Sequence, residues 1–250
     1  MEAIMAVHDF TSQRLFIDAA LAEGARVACS PEQASYLRSV LRLAHGHEIL
    51  VFNGRDGEWR ARLIAEGKRG AALEAVELVR AQAGGPDLHY LFAPLKRARL
   101  DYMVQKATEM GVARLVPVLT RHTVAERVNL DRMRANVIEA AEQCGILRVP
   151  EIAEPIKLAK LLDGWDAART LVFCDEAAEQ ASPIAALSAR AAGPLAVLIG
   201  PEGGFSPDER AMIRAVPQAV AVSLGPRIMR ADTAAVAALA LVNAVLGDWR

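Results

Sequence analysis

Strand-like and helix-like segments alternate through most of this chain, and this alternation limits the possible folds more than any other feature. After residue 87 the apolar run LHYLFAP is followed by the helical stretch ARLDYMVQKATEM, which Gly111 is suited to end, and then by ARLVPVLT. The same alternation continues to an alanine-rich segment near the carboxyl end. Strands separated by helices predict an α/β domain whose largely parallel sheet is covered on both faces.

The chain has a different pattern before the segment AQAGGPD at residues 81–87. Ser30 is suited to cap a helix that has Pro31 at its first position, and EILVFNG, GEWRARLIAE and AALEAVELV follow as strand-like runs. These signals predict a small β-rich domain over residues 1–82 and an α/β domain over residues 83–250.

The composition argues against export, membrane insertion and metal binding. Cys29, Cys144 and Cys174 lie far apart without a CxxC spacing, so we expect neither a disulfide framework nor a metal site. The amino-terminal sequence MEAIMAVHDF has no apolar run of signal-peptide length. The apolar segment that begins at Thr233 is shorter than the roughly 20 residues that cross a bilayer. We therefore expect a cytoplasmic protein without a membrane partner.

Positive charge is concentrated in one part of a nearly neutral chain. The formal net charge is −1, yet residues 88–137 carry nine Lys or Arg against four Asp or Glu. Such a local excess attracts polyanions, so a nucleic-acid partner is compatible with the sequence. A solvated helix face is the alternative interpretation of the same charges.

The segment LIGPEGGFSPDE, residues 198–209, predicts a strand end, a glycine-bearing loop and a helix start. Ser206 and Glu209 form a capping-box pattern, with Pro207 at the first helical position. In open α/β sheets, ligands bind beside the carboxyl ends of strands, where this loop would lie. The pattern is neither GxGxxG nor a Walker P-loop. The glycines that would let the backbone approach a ligand are Gly200, Gly203 and Gly204.

A second loop of the same kind, SLGPRIMRADTA at residues 223–234, also follows an apolar strand and opens a helix. We expect the two loops to lie side by side. Ile228 and Met229 are apolar enough to line an adenine pocket, while Arg227 and Arg230 bring positive charge next to it. Together the two loops predict one ligand site.

These segments resemble a known family. LIGPEGGFSPDE followed by LGPRIMRADTAAVAAL is similar to the signature of the 16S ribosomal RNA (uracil-N3) methyltransferases, which belong to the SPOUT class of S-adenosylmethionine enzymes. The matches VLR at residues 40–42, VFNG at 51–54, QKATEMGV from Gln105 and EQCG from Glu142 extend the resemblance over nearly the whole chain, in order.

The resemblance implies a PUA-like RNA-binding β-barrel at the amino end and an α/β domain whose carboxyl-terminal part is a trefoil knot that holds S-adenosylmethionine. The implied reaction is methylation of N3 of a uridine in 16S ribosomal RNA, and the sequence leaves open whether the substrate is free RNA or the assembled small subunit. The resemblance further implies a homodimer with composite active sites.

The resemblance and the loop chemistry together give the candidate residues. Arg230 is the candidate for stabilising the charge that develops on the uracil ring. Asp232 and Glu202 are candidates for accepting the N3 proton, and transfer without a side-chain base remains an alternative. The residues predicted to bind the cofactor are Leu198, Ile199, Gly200, Glu202, Gly203, Gly204, Ser223, Leu224, Gly225, Ile228, Met229 and Thr233. The residues predicted to bind RNA are Arg14, Arg38, Arg42, Lys96, Arg97, Lys106, Arg121 and His122.

Some positions depart from the family pattern. Ile146 and Leu147 stand where the family usually has Arg-Asn, Asp232 replaces a glutamate, and Tyr36 or its neighbour stands in place of a histidine. Two other functions stay open on the sequence: a SPOUT-class ribose 2′-O-methyltransferase, and a non-enzymatic RNA-binding protein that uses only its PUA-like domain.

The last predicted helix, in ADTAAVAALALVNAVLGDW, indicates self-association without reference to any family. Asn243 is the only strongly polar side chain between Thr233 and Leu246, so the helix is apolar almost all round. Such a helix must be buried on every side, and its alanines permit close approach of a second copy. We therefore predict a homodimer that pairs through this helix, with burial entirely within its own domain as the alternative.

Overall fold

The computed structural model describes residues 12–124, 127–175, 178 and 182–249. Its chain divides into two compact units. The first comprises Met1–Gly84 and Ala141–Val149, and the second comprises Gly85–Ala140 and Pro150–Arg250. The short segment 141–149 thus packs with the first unit, although it lies far from the rest of that unit in sequence.

A mixed sheet of five strands forms the first unit. Its elements are β1 (Arg14–Phe16), β2 (Arg26–Ala28), α1 (Pro31–Ser35), a π-helical turn (Tyr36–Val40), β3 (Glu48–Phe52), β4 (Glu58–Glu66) and β5 (Gly70–Arg80). The strand order is β1-β3-β4-β5-β2, in which β1 and β3 are parallel and the other neighbours antiparallel. The predicted helix and the three predicted strands are confirmed, while β1 and β2 had no clear sequence signal.

A buried ionic cluster fastens the segment 141–149 within the first unit. Glu58 is 3% exposed and accepts hydrogen bonds from Nε of Arg14 and Nε of Arg80, both at 2.6 Å. Both arginines also donate to main-chain carbonyls of the segment 141–149. Burial by itself raises the pKa of Glu58, but the hydrogen bonds from Arg80 and Arg14 outweigh it and hold that pKa below its usual value.

Parallel strands and intervening helices form the second unit. Its elements are β6 (Leu88–Phe92), α2 (Arg97–Glu109), β7 (Arg114–Leu119), α3 (Leu130–Gln143), β8 (Glu151–Ile152), β9 (Ile156–Lys157), α4 (Leu158–Asp163), β10 (Thr170–Cys174), α5 (Pro183–Ser188), β11 (Leu195–Ile199), α6 (Pro207–Arg214), β12 (Ala219–Val222) and α7 (Ala231–Val245). The strand order is β12-β10-β11-β6-β7-β8, and β9 also pairs with β7. Every described pairing in this sheet is parallel, which confirms the predicted α/β class.

Helix α7 packs against α2, α5 and β11, and it buries only part of its surface within its own unit. Leu239 is 1% exposed, and the Asn243 side-chain amide donates to the carbonyl of Met110 at 2.8 Å. Leu239 therefore belongs to the core of the unit and does not lie on a face of α7 that a second copy could cover. Within the described residues, no helix combines the length and the apolar character that crossing a membrane requires.

Candidate active site

Two strand-to-helix loops meet around one cavity in the second unit. The first runs from the end of β11 at Ile199 to the start of α6 at Pro207, and the second from Val222 to the start of α7 at Ala231. Strand β10 lies between β11 and β12, so the two loops follow strands that are not adjacent in the sheet. They nevertheless both line a cavity of about 400 Å³, which lies at the carboxyl ends of the strands.

Most residues that the sequence predicted for the cofactor line this cavity. They are Ile199, Gly200, Glu202, Gly203, Gly204, Ser223, Leu224, Gly225, Ile228 and Met229. Two predicted residues lie elsewhere: Leu198 is fully buried in the sheet, and Thr233 lies on α7 outside the lining. Further lining residues were not predicted from the sequence, namely Cys174, Asp175, Pro201, Phe205, Val222, Ala231 and Ala234.

Local contacts fix the shape of the first loop. Ser206 accepts a hydrogen bond from the backbone N–H of Glu209, and the Glu209 carboxylate accepts one from the N–H of Ser206, which confirms the predicted capping box. A Cβ atom at Gly200 would lie 3.0 Å from the ring of Phe205. Gly204 has φ +65°, a left-handed conformation that favours glycine. The loop is thus shaped by its own chain and does not need a ligand to define its turn.

The segment after β7 is attached to this loop. Nδ1 of His122 lies 3.1 Å from the carbonyl oxygens of both Gly203 and Gly204. One residue earlier, the backbone N–H of Arg121 donates to the carboxylate of Glu209 at 2.7 Å. His122 therefore contacts the predicted cofactor loop rather than pointing away from it.

Two charged or ionisable groups lie at the end of β10. Asp175 is 1% exposed, and its carboxylate pairs with Arg214 at 2.9 Å and Arg210 at 3.4 Å. Burial raises the pKa of the Cys174 thiol to about 12. A thiol with such a pKa stays protonated at neutral pH, so Cys174 is not suited to act as a nucleophile.

The two candidate catalytic residues differ in their position. Arg230 is exposed, precedes the first turn of α7 and lines the cavity, and no hydrogen bond or ion pair of its guanidinium occurs within the described part of the chain. Asp232 lies in the first turn of α7 outside the lining, and its carboxylate accepts a hydrogen bond from the N–H of Thr233 at 3.0 Å. Glu202, the other candidate base, pairs with Arg99 at 3.0 Å. Arg230 is therefore the better placed of the predicted catalytic pair.

The predicted RNA-binding residues of the first unit differ in how accessible their side chains are. Arg14 has an exposed side-chain fraction of only 7% and is engaged by Glu58, so its assignment to RNA binding is wrong. Arg38 donates from Nη1 to the carbonyls of Gly67 and Gly70, so this part of its guanidinium is already engaged within the protein. Arg42 is exposed and has φ +55°, an uncommon conformation for a side-chain-bearing residue.

The second unit holds the other predicted RNA-binding residues. Lys106 pairs with Glu109 at 2.7 Å on α2, which reduces its availability to RNA. The remaining ones, Lys96, Arg97, Arg121 and His122, are exposed. Among the described residues no cluster of His, Cys, Asp or Glu could hold a metal ion.

Comparison with known proteins gives one consistent result. Residues 84–243 match the RNA methyltransferase domain family, and residues 30–76 match the RNA methyltransferase PUA domain family. Ribosomal RNA small subunit methyltransferase E of Synechocystis is 30% identical over 230 residues, which cover 89% of this chain and 74% of that protein. The protein of the same name from Rickettsia conorii is 29% identical over 232 residues, covering 92% of this chain and 94% of the relative.

Solved structures agree with these sequence matches. A methyltransferase of Legionella pneumophila in complex with bound SAM has a TM-score of 0.83 and 26% identity, covering 95% of this chain and 99% of its own. Ribosomal RNA small subunit methyltransferase E of Neisseria gonorrhoeae bound to S-adenosyl methionine has a TM-score of 0.81 and 25% identity, covering 96% and 100%.

Proposed function

The chain belongs to the ribosomal RNA small subunit methyltransferase E family, and we propose that it methylates N3 of a uridine in 16S ribosomal RNA. It is an RNA methyltransferase that uses S-adenosylmethionine. The observation that carries the proposal is the cavity of about 400 Å³ in which both glycine-bearing loops meet beside Arg230. Its volume is within the range of roughly 300–1,000 Å³ that small-molecule sites span.

The cavity suits S-adenosylmethionine in shape and chemistry. Gly200 lies in the lining, and its main-chain groups are proposed to hydrogen-bond a purine or an amino-acid group of the cofactor, whereas those of Gly204 already bond to Pro201 and His122. Leu224, Ile228 and Met229 supply apolar surface for a purine ring. When bound, the cofactor supplies an electrophilic methyl group. These residues would hold it, and the predicted residues Leu198 and Thr233 would support the loops from outside the lining.

Arg230 is proposed to stabilise the reacting uracil. Loss of the N3 proton leaves negative charge spread over the ring and its carbonyl oxygens, and a guanidinium without a competing partner is suited to stabilise it. Asp232 would contribute by holding the first turn of α7, which positions Arg230. Neither Asp232 nor Glu202 is required as a base, because the N3 proton can leave to water once its departure is stabilised.

RNA would be held by exposed cations in both units. Arg42 is the candidate of the first unit, and Lys96, Arg97 and Arg121 are those of the second. Such side chains contact phosphates and position an RNA without reading its sequence. We propose the assembled small subunit in the cytoplasm as the substrate. Residues 1–82, together with the segment 141–149 that packs with them, are proposed as the PUA-like RNA-binding domain, and the rest of 83–250 as the methyltransferase domain.

A trefoil knot is proposed for the carboxyl-terminal part of the chain. Strand β12 lies at the edge of the sheet, yet α7, which follows it, packs against β11 and α2 further in. The segment 223–230 must therefore pass the carboxyl end of β10 and reach the loop 200–206, with which it shares the cavity. Knots are very rare in proteins, so a chain trace from an experimental density map through both loops is the appropriate test.

A homodimer is proposed to pair through the outer face of α7. This face consists of Ala237, Ala240, Leu241 and Ala244, and together with Trp249, which is 55% exposed, it lines a hollow of about 580 Å³ without any charged lining residue. Leu224, Gly225 and Met229 line both this hollow and the cofactor cavity. Pairing of two copies about a two-fold axis would bury this face and cover one side of the cofactor loops. Sedimentation of the wild-type protein at micromolar concentration tests this, and a fully active monomer would refute it.

The activity is tested by transfer of a labelled methyl group to small subunits that lack the modification, followed by mass spectrometry of the nucleosides. We expect N3-methyluridine, and its position is then mapped by primer extension. A 2′-O-methylated nucleoside would contradict the proposed target atom. Absence of both cofactor heat in calorimetry and cofactor protection against thermal unfolding would instead support a non-enzymatic RNA-binding protein.

A further inference from the structure

We infer that His122 is a positioning residue, which holds the cofactor loop at Gly203 and Gly204 in its binding conformation. This inference rests on the proposed function of that loop, and it replaces the expectation that His122 contacts RNA. Three separate features of the second unit support it: a hydrogen bond, a steric contact and a second attachment point nearby.

The hydrogen bond fixes the protonation of the imidazole at one nitrogen. Nδ1 of His122 lies 3.1 Å from the carbonyl oxygen of Gly203 and 3.1 Å from that of Gly204. Both neighbours are acceptors, so Nδ1 must carry the proton and donate it between them.

The steric contact explains why residue 203 is a glycine. A Cβ atom at Gly203 would lie 3.2 Å from Cβ and 3.4 Å from Cγ of His122. The missing side chain thus makes room for the histidine, whereas the sequence analysis expected it to make room for the ligand. Any larger residue would press His122 and the loop apart.

The second attachment point lies one residue before His122. The backbone N–H of Arg121 donates to Glu209 at 2.7 Å, and Glu209 also accepts from the N–H of Ser206 at 2.9 Å. The segment itself is closed by a hydrogen bond from the N–H of Thr120 to the hydroxyl of Thr123 at 2.9 Å. It is therefore a compact turn fastened to the cofactor loop and to the start of α6, and His122 is its only described side chain with a hydrogen bond to Gly203 or Gly204.

A loop with three glycines loses much conformational freedom when it is ordered for a ligand. If His122 keeps the loop ordered before binding, its removal lowers the fraction of molecules that can bind, and the apparent affinity falls by the same factor. An exposed hydrogen bond of this kind corresponds to a loss of about threefold to tenfold in affinity.

Calorimetric titration with S-adenosylmethionine tests the donor. His122→Ala should weaken binding about threefold to tenfold. His122→Asn should restore most of the affinity, because Asn Nδ2 and His Nδ1 are the same number of bonds from Cβ, whereas His122→Gln, whose donor is one bond further out, should not. An alanine variant within twofold of the wild type, or an asparagine variant as weak as alanine, would overturn the inference. If the wild-type protein gives no heat, the proposed function fails instead.

A double-mutant cycle tests the steric contact. Gly203→Ala should weaken binding in the wild-type background but have little further effect in His122→Gly, because glycine removes both Cβ and Cγ of His122 that the new methyl group would meet. Equal losses in both backgrounds would mean that the new methyl group obstructs the ligand directly, which would overturn the inference. Thermal unfolding without cofactor checks that each variant is folded.

Discussion

Replacing Glu58 with glutamine should destabilise the first unit strongly, because it removes a buried carboxylate that pairs with two buried arginines. Glu58 accepts from Arg14 at 2.6 Å and from Arg80 at 2.6 and 3.0 Å, and the side chains of the two arginines are 7% and 12% exposed. Glutamine keeps one acceptor oxygen and points an amide donor at a guanidinium donor. Breaking a buried pair in this way costs about 3–5 kcal/mol, a large fraction of the roughly 5–15 kcal/mol that stabilises a domain.

Hydrogen exchange followed by mass spectrometry is the appropriate assay, because it reports the two units separately. In Glu58→Gln the backbone amides of β3, β4 and β5 should exchange faster, by the factor that corresponds to a loss of about 3–5 kcal/mol in unfolding free energy. The matched control is Glu66→Gln, which breaks the ion pair between Glu66 and Arg26. The side chains of Arg26 and Glu66 are 54% and 44% exposed, so this substitution should cost less than about 1 kcal/mol of unfolding free energy. Equal effects of the two substitutions would refute the argument that burial makes the cluster important.

Three further sets of substitutions test the site, the sheet and the dimer. Arg230→Ala should lower kcat at least tenfold while the Kd for S-adenosylmethionine changes less than about threefold, and Arg230→Lys should keep part of the rate; equal losses in rate and affinity would make Arg230 a cofactor ligand. Burial, together with Arg169, lowers the pKa of His89 to about 4 from 6.5. The unfolded chain therefore binds more protons between these values, so unfolding free energy should fall by up to about 3 kcal/mol as pH drops from 6.5 to 4, and His89→Gln should flatten this slope in urea titrations. Leu241→Glu should give a folded monomer by sedimentation, whereas Leu239→Glu should unfold the unit; a dimeric Leu241→Glu would exclude this face.

Much of the fold was predictable because its signals are local. Apolar runs marked β6, β10 and β11, and Ser206 marked the start of α6 through its capping box. Gly111, with φ +74°, ends α2 as its position after that helix indicated. The short strands β8 and β9 and the one-and-a-half-turn helix α4 were missed, because two to six residues are too few to show a period.

The features that could not be predicted depend on contacts between residues that lie far apart in the sequence. The position of β10 between β11 and β12 could not be predicted, because no local sequence pattern encodes the order of strands in a sheet. Arg14 was taken for an RNA contact because its partner Glu58 lies 44 residues away. The contact between Gly203 and His122 was not predictable for the same reason, since His122 is 81 residues before Gly203.

The candidate site was predicted as a set of residues more accurately than as a mechanism. The two loops lined the same cavity because each follows a parallel strand, and parallel strands end at one edge of the sheet. Which face of α7 is free was not predictable, since Leu239 and Leu241 are equally apolar in sequence. Only the packing of α7 separates a core residue from one that faces outward.

The assignment of residues 141–149 to the first unit means that the chain passes between the two units three times. No single cut can therefore release either unit intact. A fragment that ends at residue 84 lacks the carbonyls that Arg14 and Arg80 bind, and a fragment that begins at residue 85 carries that segment without its partners. An exchange of RNA-binding units between relatives would have to transplant both segments together, so the two units are expected to have been inherited as one piece rather than recombined.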